Sequence, residues 1–143
     1  MLDRALIEKK LQLLSGYFEE LRPLIEEEPA AIAKDSLRMR GIERLFQLAV
    51  DAMIDINIHI IRERNVGAPD DLQSTFKLLG TAGVLEHTFA EKISPIVGAR
   101  NMLVHQYEKI ETGRFLRNLK NKASDFTTYM SQVHAFLNRP QSE

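Results

Sequence analysis

Apolar residues recur along this chain at intervals of three and four, a period that suits helices and little else. Leu6, Ile7, Leu11, Leu14, Phe18, Leu21 and Ile25 fall on one side of a rod that turns about 100° per residue. The alternating β-branched runs that strands need are absent, and glycine and proline are sparse. Asp3 is placed to cap this first helix. Glu26-Glu27-Glu28 and Pro29 mark its end, with Arg22-Pro23 an earlier place for a kink or a stop.

The same period predicts a second, long helix from Pro29 to Asn65-Val66-Gly67, burying Ala33, Leu37, Ile42, Leu45, Ala49, Met53, Ile56 and Ile60. Gly41 inside it costs roughly 1 kcal/mol against alanine, which suggests a close helix contact there. Ala68-Pro69-Asp70-Asp71 reads as a turn and cap before a short helix, Leu72 to about Leu79, closed by Gly80-Thr81-Ala82-Gly83. Leu85 to about His105 is helical but bent or divided at Ser94-Pro95. Gly113 turns the chain into a last helix from Phe115 to Asn138. The fold class expected is all-α, an up-and-down bundle of four or five helices. It forms one domain over residues 1–138, with 139–143 as a flexible tail.

Composition removes several chemistries. With no cysteine there is no thiol nucleophile, disulfide or thiolate metal site. No apolar run reaches the ~20 residues of a membrane span, and Met1-Leu2-Asp3-Arg4 leads straight into an amphipathic pattern without a secretory signal. The expectation is a cytoplasmic chain without a membrane role. A net charge of −1 gives no general attraction to nucleic acid. Any such contact needs a local patch or a groove assembled by more than one chain.

One segment collects groups suited to phosphate chemistry: Arg100-Asn101-Met102-Leu103-Val104-His105-Gln106-Tyr107. Asn101 and His105 lie one helical turn apart, and Arg100 and Tyr107 nearly share a face. Ile96, Ala99 and Leu103 form the buried stripe, so the polar residues flank it and can border a cleft if a second helix faces them. Histidine exchanges a proton near neutral pH. Arginine offers a planar fork to a phosphodiester and stabilises charge that grows in the transition state. An RNA 2′-hydroxyl supplies the nucleophile, so neither metal nor cofactor is needed. Taken alone, a histidine on a helix is more often structural or solvated.

The spacing Arg100-Asn101-x-x-x-His105-x-Tyr107 resembles the R-x4-H-x-Y motif of HepT proteins of the HEPN superfamily. The context Ala99 to Tyr107, the chain length, the helical layout and Asp55-Ile56-Asn57-x-His59-Ile60 are similar too. The resemblance implies a toxin of a type VII toxin–antitoxin pair, acting as a metal-independent endoribonuclease. Two motifs then meet across a homodimer cleft. Arg100 holds the scissile phosphate, His105 is general base or acid, and Asn101 is supporting. The implied partner is a minimal nucleotidyltransferase antitoxin that transfers AMP to Tyr107, where added phosphate repels RNA. The alternative is a non-catalytic bundle that binds nucleotide or the nucleotidyltransferase.

Elsewhere, Glu43, Gln47, Asp51, Asp55 and His59 recur every fourth residue as a slanting polar ridge. It reads as a solvated face or a cleft wall in preference to a metal site. Lys109, Arg114, Arg117, Lys120 and Lys122 form either an RNA-attracting rim or an ordinary charged helix face. His87 and His134 read as structural or surface residues.

Overall fold

The computed structural model describes residues 2–105 and 111–140. The Asp3 carboxylate accepts the Leu6 N–H at 3.0 Å and starts α1, Arg4–Leu24. Pro23 falls in its last turn, so the helix ends there without a kink further up. Ile7, Leu11, Leu14, Phe18, Leu21 and Ile25 are buried, but Leu6 is 37% exposed, at the edge of the stripe.

The long second helix is two. Pro29 opens a short α2, Pro29–Ala33, and Asp35 leaves helical geometry (φ −103°, ψ 93°). The Asp35 carboxylate accepts the Arg38 N–H at 3.0 Å to start α3, Ser36–Arg64. A helix period cannot reveal such a break, because Asp35 caps a new helix at no cost to the apolar pattern downstream. The break leaves Ala33 exposed and Leu37 82% exposed, both correcting the expected stripe. From Ile42 to Ile60 the stripe holds, with Leu45 half-buried. Gly41 makes no close helix contact: a Cβ there would lie 4.0 Å from Leu24 Cδ1. Asn65 closes α3 in the left-handed region at φ 51°.

The turn at Ala68–Asp71 leads to α4, Ser74–Thr81, and Gly83 at φ 78° reverses the chain. The division at Ser94-Pro95 separates α5, His87–Ile93, from α6, Ile96–His105. The predicted last helix is also two, α7 Thr112–Asn121 and α8 Ser124–Asn138, broken where Lys122 leaves helical geometry. No strand occurs among the described residues.

The central element is α3, which packs against α1, α2, α4 and α6. Phe126 of α8 stacks on Phe18 of α1 at 5.2 Å and meets Phe46 of α3 edge-on at 6.4 Å. These contacts tie first, middle and last helices into one core. Lys120 Nζ donates to the Glu26 carbonyl at 2.8 Å, fastening α7 to the end of α1.

Candidate active site

Val97 and Leu103 sink α6 into the core at 2% and 7% exposure, with Ile96 and Ala99 packed beside them. Val97 joins the expected stripe of Ile96, Ala99 and Leu103. Arg100 and Asn101 are thereby held half-buried at the stripe's margin. Across from them runs α3. Arg100 Nε donates to Asp51 Oδ1 at 2.8 Å, and Arg100 Nη1 donates to Asn101 Oδ1 at 3.0 Å. The Nη2 amino group has no acceptor among the described residues. The guanidinium is therefore fixed through Nε and Nη1 and keeps its Nη2 donors for an incoming oxyanion.

Asp51 belongs to the polar ridge and is the partner that sequence reasoning did not pick out. The ridge does not act as a unit. Glu43 pairs with Arg40 at 3.1 Å and Asp55 with Lys10 of α1 at 3.2 Å, while Asp51 turns to Arg100. Its carboxylates are thus drawn to three different cations, and among the described residues no group of three potential ligands converges on a metal position. His59 Nε2 is buried without a hydrogen-bond partner among the described residues.

His105 is the last residue of α6; its side chain, like Tyr107, lies outside the described residues. So does Lys109. Of the other basic residues, Lys120 is spent on the Glu26 carbonyl and Arg117 lies 3.8 Å from Glu111. Arg114 and Lys122 are exposed. His87 and His134 are exposed as well.

Behind the site lies a buried polar chain. The Tyr129 hydroxyl is 2.6 Å from Asn57 Oδ1, Asn57 Nδ2 donates to Thr75 Oγ1 at 3.1 Å, and Thr75 Oγ1 donates to the Leu72 carbonyl at 2.6 Å. Each member satisfies the next, so α8, α3 and the start of α4 are locked together. Burial pushes the Tyr129 phenol well above its ordinary value. The sequence signal for Asn57 was an amide set between Ile56 and Ile58, with Asp55 and His59 one position beyond them on either side.

An all-helical scaffold that presents a fixed arginine five residues before a helix-terminal histidine narrows the field, and comparison with known proteins decides it. The sequence profile of the HepT-like ribonucleases matches residues 14–133. The chain belongs to the HepT-like ribonuclease family. Among its relatives is a HepT tRNA nuclease of Aphanizomenon flos-aquae, 27% identical over 136 residues, covering 95% of this chain and 92% of that protein. A HepT mRNA nuclease of Shewanella oneidensis is 26% identical over 89 residues, 62% of this chain and 67% of that protein. The fold is that of a tri-AMPylated HEPN toxin of Shewanella oneidensis solved in complex with an MNT antitoxin. The TM-score is 0.82 at 21% identity, over 94% of this chain and 99% of that one. This HepT-like chain is accordingly an all-α ribonuclease of HEPN architecture, and no helix among its described residues is long and apolar enough to cross a membrane.

Proposed function

We propose that this HepT-like ribonuclease is the toxin of a toxin–antitoxin pair and cleaves RNA in the cytoplasm at a site centred on Arg100 and His105. The observation that carries the reading is the Arg100 guanidinium, held by Asp51 and Asn101 with its Nη2 edge unspent. Arg100 binds the scissile phosphate and stabilises the charge that builds on it. The RNA 2′-oxygen attacks phosphorus and the bond to the 5′-oxygen breaks, leaving a 2′,3′-cyclic phosphate. One imidazole takes the 2′-hydroxyl proton and another delivers a proton to the leaving 5′-oxygen.

Two histidines in one site call for two copies of the chain. The exposed apolar residues Met102 (51%) and Val104 (39%) on α6 support a homodimer closing around the two Arg100–His105 sets. The partner is a minimal nucleotidyltransferase antitoxin like the one bound to the Shewanella toxin, and Tyr107 is the residue to which it transfers AMP. Phosphates added at Tyr107 would compete with the RNA backbone for the site by charge and bulk.

The test is to express the chain and its His105→Ala and Arg100→Ala variants without antitoxin, then map RNA ends. Cleavage by the wild type alone, with cyclic-phosphate termini, is the expected result. If wild type and variants leave RNA equally intact, the nuclease site is wrong and a non-catalytic binding role takes its place. Intact mass after incubation with ATP and the nucleotidyltransferase should rise by whole AMP units, and Tyr107→Phe should abolish the gain.

A further inference from the structure

Beside Arg100 lies a depression of about 430 Å³, within the ~300–1,000 Å³ of small-ligand sites. Its apolar lining comes from Ile58 of α3, Val97 of α6 and Pro69 and Leu72 before α4. Its polar lining includes Asp71, Gln73 and Asn101. Thr75 also lines it and belongs to the buried chain with Asn57 and Tyr129. That chain anchors the Thr75 side of the depression. The depression and the phosphate site meet at Asn101, whose Oδ1 accepts from Arg100 Nη1.

We propose that this depression holds the nucleobase next to the scissile phosphate, and that it favours a base with an exocyclic amino group; the proposal rests on Arg100 being the phosphate ligand. Charge fixes which part of the RNA enters. Arg100 draws the phosphate, whereas the Asp71 carboxylate repels it, so the neutral base and not the backbone turns toward Asp71. The apolar lining suits a base face. The Gln73 amide and Asn101 Nδ2 have no hydrogen-bond partner among the described residues, so they are available to a base edge. Asp71 Oδ1 accepts the Ser74 N–H at 2.7 Å, which holds the carboxylate in place. A carboxylate accepts from amino groups of guanine, adenine or cytosine. Uracil presents it with carbonyl oxygens on either side of a single imide N–H, and is repelled.

The experiment maps every cut made by the full-length protein, free of antitoxin, on an RNA that contains all dinucleotide steps. Wild type should cut with uracil disfavoured at one fixed side of the broken bond. Asp71→Asn keeps an acceptor for Ser74 but loses the charge, and should reduce discrimination against uracil by about tenfold. Gln73→Ala should raise KM with kcat little changed. The proposal is overturned if wild type cleaves RNA but both variants keep its cutting pattern and KM; the nuclease site would survive that result. No cleavage by wild type would remove the nuclease reading and this one with it. Leu72→Trp fills the depression and should slow cleavage. If it leaves cutting intact but prevents pairing with a second copy or with the antitoxin, the depression is a protein interface and not a base site.

Discussion

Asp51 is the residue on which the proposed chemistry turns, because it sets the angle at which Arg100 meets a phosphate. Its 2.8 Å contact with Nε, together with the Asn101 contact at Nη1, leaves Nη2 for substrate. Asp51→Ala should lower kcat by roughly a hundredfold, the usual cost of a small displacement at a reacting centre. Asp51→Asn keeps an acceptor for Nε and should recover most of it. Single-turnover cleavage by the two variants separates these outcomes, and equal rates for alanine and wild type would deny Asp51 a positioning role. Two glycines give a contrast in stability. At Gly41 an added Cβ finds only ordinary contact, so Gly41→Ala should stabilise by up to about 1 kcal/mol. At Gly80 it would lie 2.9 Å from the Ala90 Cβ where α4 packs on α5, so Gly80→Ala should destabilise by about 1–3 kcal/mol. Chemical denaturation reads both. The first of these sites was expected to be tight from the sequence, and the second was expected only as a turn. A glycine in a helix shows that alanine was not selected but not what lies opposite it.

Among the elements, α6 and α8 show how a helix face divides its work. One side of α6 is anchored by Val97 and Leu103 and its margin offers Arg100 and Asn101. Spacing alone located that margin. It did not show that α3 is the facing wall, since which helix lies opposite depends on the path of the chain between them. In α8, Tyr129 is fully buried and linked to Asn57. Its phenol is raised in the fold above the value of about 10 of an unfolded tyrosine. The stability it contributes is therefore complete below pH 10 and is lost as pH climbs toward the folded value. Urea midpoints measured upward from pH 9 should decline, and Tyr129→Phe should flatten part of that decline. At neutral pH the same substitution should cost about 1–3 kcal/mol, because Asn57 loses its hydroxyl partner. Helix ends were less legible than helix faces. Asp35 and Lys122 interrupt runs whose apolar period continues across them, and a period carries no mark of a local change in backbone angle.

At the scale of the whole molecule, one copy supplies a single Arg100 and a single His105, while the proposed reaction uses an acid and a base. Met102 and Val104 remain exposed beside the site, where a second copy would cover them. Light scattering at micromolar concentration should give twice the chain mass. Met102→Glu, which places a charge on that face, should shift it toward the monomer and reduce cleavage without altering the thermal midpoint of the chain by more than a few degrees. A wild-type monomer with full nuclease activity would contradict the two-copy site.

By itself the sequence determined the all-helical class, most of the buried stripe from Ile7 to Ile60, the division at Ser94-Pro95 and the place of Arg100 and Asn101 at the edge of a buried face. Each of these follows from the local period of 3.6 residues and from the backbone chemistry of proline. Only the tertiary structure decided that Asp51, 49 residues away, holds Arg100, that Asn57 is locked to Tyr129 and Thr75, and that a depression opens beside Asn101. Those pairings arise when separate helices pack. A helix's period records which side is buried but not which helix buries it.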